Sequence, residues 1–252
     1  MGKLGGSKHL KREAAPSHWA IHRKESTWIV KPSPGAHPIH QSIPLIIAIR
    51  EILGLAKTRN EAKKIISQGK VWVDGKIRRN DHFPTGLMDT ISIPDLKKDY
   101  RVLPSKKGFI LHSIDGEEAK FKICRIEDKK TLAKGIVQIN LHDGRDLIIR
   151  VENPQNPTED IYNTLDTVKI SLPERQLIAT TKMQEKDFGI ITGGKNIGKY
   201  GKIVEIEKAE GKKRRSTLVT IEDEKGSRYQ TVLDFVFAIG EADSAIALLE
   251  VA

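Results

Sequence analysis

Gly193 to Lys199, within "ITGGKNIGKYGK", spells G-x-x-x-x-G-K, one residue short of the loop that cradles phosphates in nucleotide hydrolases. That chemistry needs a strand, a turn whose N–H groups face the phosphates, a Mg²⁺-binding hydroxyl and a helix that starts at once. Tyr200 stands where the hydroxyl should be, and Gly201 with the alternating "KIVEIE" predicts a second strand instead of a helix. A nucleotide hydrolase is therefore rejected. Strand, basic glycine-rich turn and strand make a different object: Lys195, Asn196, Lys199 and Lys202 on a loop of a small antiparallel barrel, facing a phosphate backbone, with Lys212, Lys213, Arg214 and Arg215 at the next turn.

Other constellations are weaker. His18 and His22 are four apart and His37 and His40 three apart, but no cysteine or H-E-x-x-H context accompanies them in a Pro-rich stretch, so no metal site is expected. No Ser/His/Asp set, paired catalytic carboxylates or nucleophilic cysteine stands out, and no cofactor is implied. The single cysteine, Cys124, lies in a strand-like run and reads as core; it excludes an intramolecular disulfide framework and fits a reduced, cytosolic protein.

Charge is more informative. The net charge is +10 over 252 residues. Residues 1–42 hold seven Lys/Arg against two acids, residues 43–104 twelve against seven, and residues 105–252 equal numbers of each sign. The excess sits in the first two-fifths of the chain, which points to an acidic polymer, nucleic acid first. No run of about 18 apolar residues exists, so no membrane span is expected.

These residues need elements to hold them. Residues 1–42 carry four prolines, five of the eight histidines and two of the three tryptophans, and read as an ordered basic arm without hydrophobic period. Lys8, Lys11, Arg12, Arg23 and Lys24 would neutralise phosphates there, with His9, His18, Trp19 and His22 stacking on splayed bases. Trp19 and Trp28 serve either that purpose or the anchoring of the arm to its own body. Ser42 as N-cap and Pro44 in the first turn predict a helix with an apolar face running to Gly54. Thr58 with Glu61 three residues later is a capping box opening a second helix that Gly69 stops. Arg59, Asn60, Lys63 and Lys64 then share its outer face with Lys57 just ahead, while Ala62, Ile65 and Ile66 turn inward. "VWVDGKI" predicts a hairpin around Asp74-Gly75, with Lys76, Arg78 and Arg79 extending the basic patch. The remainder reads as β: strands near 119–126, 135–141, 146–151, 166–172 and 176–180, then "DFGIIT", "KIVEIE", "STLVTIED" and "YQTVLDFVFAIG", and a short helix in "ADSAIALLEV". The expected fold is α+β multidomain: arm 1–42, a small α/β module 43–104, a β domain 105–180 and a barrel 181–252.

Three stretches carry a resemblance. "DFGIITGGKNIGKYGKIVEIE" looks like a KOW motif of small SH3-like barrels, and "TRNEAKKIISQGKVWVDGK" resembles the core of the alpha-L RNA-binding module. "HLKREAAPSHWAIHRK" is similar to the N-terminal signature of the archaeal and eukaryotic e-type fourth small-subunit ribosomal protein, with Glu13 departing from its usual apolar residue. The order of modules and the length match that family over essentially the whole chain, and the absence of a lysine-rich C-terminal extension implies an archaeal-type member. The resemblance implies a non-catalytic, single-copy constituent of the small subunit, in the cytoplasm. Its partners would be small-subunit ribosomal RNA and neighbouring ribosomal proteins, with no membrane and no small-molecule substrate. The alternatives are a free KOW-containing transcription elongation factor or RNA chaperone, and an RNA-modifying enzyme with an appended alpha-L module.

Overall fold

The structure is a computed structural model. It describes residues 7–22, 24–133, 135–151, 161–207, 217–240 and 246. Two compact units divide the chain: one runs to Leu103 and includes Lys107–Ser113, and the other comprises Pro104–Lys106 and the chain from Ile114 onward.

In the first unit the arm forms a short antiparallel ribbon, β1 (Leu10–Lys11) with β2 (Trp28–Ile29). Then β3 (Ser42–Pro44) leads directly into α1, helical over Leu45–Ile47 and continuing with π-type turns over Ala48–Ile52. Here the expected cap is corrected. Ser42 and Pro44 lie in a strand whose register is Ser42↔Gly86 and Pro44↔Pro84, and the helix starts one residue after the proline. A proline keeps its predecessor extended, which suits Ile43 to a strand. The second helix, α2 (Arg59–Ser67), matches its sequence signal, and the hairpin β4 (Trp72–Val73) and β5 (Lys76–Ile77) follows. Asp74 and Gly75 take φ of +52° and +69°, the left-handed pair that a two-residue turn of this hand requires.

β6 (Pro84–Gly86) pairs with β3. β7 (Thr90–Ile93), β8 (Lys98–Ser105) and β9 (Gly108–Ile114) complete a sheet of order β5-β4-β7-β8-β9. The core gathers Ile43 of β3 and the apolar faces of both helices, from Leu45, Ile46 and Ile49 to Ala62 and Ile66, against Val73, Ile91 and Val102 of the sheet. Leu10 and Trp19 of the arm belong to the same cluster.

The second unit holds two five-stranded antiparallel sheets. The first comprises β10 (Phe121–Leu132), β11 (Ile136–Leu141), β12 (Asp146–Arg150), β13 (Thr167–Ser171) and β14 (Leu177–Thr181), in order β12-β11-β10-β13-β14. Cys124 is fully buried within it. The other comprises β15 (Phe188–Ile191), β16 (Tyr200–Glu207), β17 (Leu218–Glu222), β18 (Arg228–Val232) and β19 (Val236–Gly240), in order β18-β17-β16-β15-β19. The segment expected as one long strand, "YQTVLDFVFAIG", is broken by a 3₁₀ turn at Leu233–Phe235. That break lets the chain leave one edge of the sheet and return at the opposite edge beside β15. Arg125 joins the sheets: its Nη1 donates to the carbonyls of Asp234 (2.8 Å) and Val236 (3.1 Å). The expected C-terminal helix lies outside the described residues.

Candidate nucleic-acid interface

The first N–H groups of a helix lack intrahelical partners, and α2 satisfies them with its own side chains. Thr58 Oγ1 accepts from Glu61 N at 3.3 Å, and Glu61 Oε2 accepts from the backbone N–H of Thr58 (3.3 Å) and Lys57 (3.0 Å). The backbone N–H groups of Lys57 and then Thr58 hold the Glu61 carboxyl below its ordinary pKa. With Ala62 and Ile66 fully buried, this lock fixes the rotation of the helix about its axis. Arg59, Asn60, Lys63 and Lys64 are consequently all exposed, with Lys57 beside the cap. Lys76 and Arg79 are exposed past the hairpin turn, and Arg78 is half-buried with its guanidinium carbon 4.3 Å from the Phe83 ring centroid. Among the described residues none of Lys57, Arg59, Lys63, Lys64, Lys76 and Arg79 forms an ion pair. α2 and the adjoining hairpin therefore present a set of cations without ion pairs, which is what positioning on a phosphate backbone requires.

The arm divides its side chains between two tasks. Lys8, His9, Lys11 and Lys24 are exposed and available to a partner. Two expected RNA contacts are corrected. Arg12 is half-buried, and its Nη2 and Nε donate to the carbonyls of Ile21 (2.7 Å) and His22 (3.3 Å), so its guanidinium clips the arm to itself. Trp19 is 3% exposed and its Nε1 donates to Ser42 O at 2.7 Å, so it anchors the arm and has no face for a base. His18 is partly buried against Phe109 and Trp19; burial lowers its pKa, more than the Ser42 carbonyl raises it, and His40 adds to the lowering. His37 is buried against Asp89, at 3.1 and 3.2 Å from its two carboxylate oxygens, and Gly86 N donates to the same carboxylate. No group of three His, Cys, Asp or Glu among the described residues is placed to hold a metal. Arg23 lies outside the described residues.

The glycine loop also differs from expectation. Its turn is closed by Gly198 N to Ile191 O and Ile191 N to Lys199 O, both 2.8 Å. A Cβ at Gly193 would meet the Phe235 ring at 2.6 Å, and one at Gly201 would meet Glu222 O at 2.1 Å. These glycines admit the protein's own ring and backbone, so close packing explains their type without a bound phosphate. Asn196 is tied to Gln230 O at 3.2 Å, and Lys199 is half-buried with its Nζ 5.4 Å from the Tyr229 centroid. Lys195 and Lys202 remain exposed. Lys212, Lys213, Arg214 and Arg215 lie outside the described residues.

Arg50 was missed by sequence reasoning, because it and Glu51 are the only charges on an otherwise apolar helix and read as a neutral pair. Its side chain is partly exposed, pairs with Glu51, and lines a cleft with Trp28 and Arg59.

The chain matches three family models in succession: the RS4NT domain over residues 4–40, the S4 domain over residues 51–91, and Ribosomal family S4e over residues 96–177. It is 50% identical over 251 residues to small ribosomal subunit protein eS4 of Staphylothermus marinus, covering 99% of each chain. It is 43% identical over 251 residues to the eS4 of Methanocaldococcus jannaschii, covering 98% of this chain and all of that one. The crystal structure of the 30S ribosomal protein S4e from Thermoplasma acidophilum superposes with a TM-score of 0.66 at 29% identity, covering 80% of this chain and 96% of that one. With relatives this similar over nearly their whole length, the chain belongs to the eS4 family of small ribosomal subunit proteins.

Proposed function

We propose that the chain is a structural, non-catalytic constituent of the small ribosomal subunit, in the cytoplasm, that holds small-subunit ribosomal RNA in place. Neighbouring ribosomal proteins are its other partners, and it acts as a single copy without cofactor, metal or small-molecule substrate. The observation that carries this reading is the exposed cationic face of α2. A capping box and a buried apolar stripe orient Lys57, Arg59, Asn60, Lys63 and Lys64 outward together, with Lys76, Arg78 and Arg79 beside them. Lys8, His9, Lys11, Arg23 and Lys24 of the arm extend the contact, and Lys195, Lys202 and the run Lys212–Arg215 supply a second contact in the other unit. The division of labour follows the modules: arm 1–42, RNA-binding module 43–104, β domain 105–180 and KOW-type barrel 181–252.

Each phosphate neutralised by a cation releases counterions, so affinity falls with salt in proportion to the number of contacts. The double variant R59E/K63E should weaken binding of the full chain to small-subunit rRNA and flatten the slope of log K against log salt by about 2. A filter-binding titration at several salt concentrations reads this; an unchanged slope removes both residues from the interface. Co-sedimentation of the tagged protein with the small subunit tests the assignment as a whole, and a protein found only at the top of the gradient overturns it.

A further inference from the structure

Trp28 is the counterpart of Trp19 that does not go inside. It is 57% exposed, although it is the largest side chain type and sits on a two-stranded ribbon with little surface to spare. The ribbon holds it firmly: Lys11 and Trp28 are register partners, and Arg12 N donates to Thr27 O at 3.0 Å. The imidazole of His9 stands edge-on to the indole at 5.5 Å, and Lys11 Nζ lies 5.8 Å from its centroid. Beside the indole opens a cleft of about 150 Å³, whose walls include Ile21, Ile46, Ile47, Arg50 and Arg59. Arg50 is engaged by Glu51, but Arg59, at the start of α2, has no carboxylate partner among the described residues.

We propose that this cleft is a binding site for one unpaired RNA nucleotide, its base stacked on the Trp28 indole and its phosphate met by Arg59 and Lys11. The inference rests on the proposed rRNA-binding function and deepens it: the first unit grips an RNA that carries a splayed-out base, in addition to a phosphate backbone. Three features favour a nucleotide as the occupant. A planar aromatic face with apolar walls suits a flat ring, and every base offers one. Arg59 in the cleft wall and Lys11 beside the indole suit the phosphate attached to that ring. The volume admits one planar group and is too small for a helix or a strand of a protein partner. Sequence-specific and bulge-specific RNA recognition rests on this combination of aromatic stacking with flanking cations, because an A-form duplex hides its bases.

The test uses the full chain and two fluorescently labelled RNA duplexes, identical except that one carries a single bulged adenosine. The wild type should bind the bulged duplex more tightly than the perfect one, by roughly 5- to 150-fold. Trp28→Ala should abolish that difference while leaving affinity for the perfect duplex within about twofold, and Trp28→Phe should retain most of it. Because Trp28 is exposed, Trp28→Ala should melt with the wild type, and Trp28→Phe guards against the case where it does not. Equal loss on both duplexes overturns the site, and so does Trp28→Ala that still discriminates, as expected if Trp28 docks a protein. A wild type that binds both duplexes equally refutes the nucleotide site alone; one that binds neither refutes the RNA-binding function with it.

Discussion

Trp19 and Trp28 share one arm and take opposite positions, which no rule of residue type would separate. Trp19 is followed by a chain reversal that brings its indole N–H to Ser42 O, 2.7 Å away and 23 positions on in sequence. Trp28 pairs within the arm's own ribbon and stays outside. The sequence shows that the tryptophans sit among basic residues; which one anchors depends on a pairing that sequence periodicity does not carry. Arg12 is the same case, a cation whose partners are carbonyls delivered by a turn. His18 makes the anchorage titratable. Burial keeps its pKa below the ordinary 6.5, so the stability contributed by the neutral ring is fully present above 6.5 and is lost as pH falls through the lower folded value. Acidifying a solution of the protein across that interval should loosen the arm, seen as a red shift of Trp19 fluorescence. A His18→Gln variant should show no such shift; if it shifts equally, His18 is not the responsible group.

At the scale of elements, the signals that were legible are the local ones. A capping box and an Asp-Gly turn each satisfy their hydrogen bonds within a few residues, and both stand in the structure where the sequence puts them. The paired strands β3 and β6 were not legible, because each is three residues long and exists only by virtue of the other, 42 positions away in the case of Thr85 Oγ1 and Ile43 O. β8 was hidden by its polar start, "KDY", which alternates poorly although its far half is buried. The glycine loop was legible as a turn, but the packing that calls for its glycines was not, since they answer to Phe235 and Glu222, both contributed by later strands and turns. The capping box gives the sharpest prediction at this scale. Thr58→Ala should destabilise the first unit by about 1 kcal/mol. It should also weaken RNA binding, because α2 would present Arg59 and Lys63 less uniformly. A stability loss measured by denaturant with no loss of affinity would show that the cap supports the fold only.

At the scale of the whole molecule, the charge is divided as the folding units are. The basic first two-fifths of the chain build the unit that carries the arm and α2, and the neutral remainder builds the two sheets. The second unit uses charge inside. Lys122, fully buried, reaches Asp143 Oδ2 at 3.0 Å, and Arg145 Nε reaches the same oxygen at 3.1 Å. Burial would raise the Asp143 carboxyl, but Lys122, then His142 and Arg145 outweigh it and bring the pKa down to about 2. That contribution is whole above the ordinary 3.8 and is lost as pH falls toward 2. Lys122→Ala removes one of the two cations beside the buried carboxylate and leaves Arg145, so it should cost about 3 kcal/mol in a urea melt of the full chain, the low end of the range for breaking a buried pair. A loss below about 1 kcal/mol would mean that Arg145 compensates the carboxylate without Lys122.

The arm's clip has a consequence for how tightly RNA can be held. A basic tail that is loose until it meets its target must lose its chain entropy in the act of binding, at about 1–2 kcal/mol for every backbone residue fixed. Here Arg12 has already closed the loop to Ile21 and His22, and Trp19 has already docked on Ser42. That ordering is completed during folding, so a contact made by the arm does not bear the entropy cost of closing that loop.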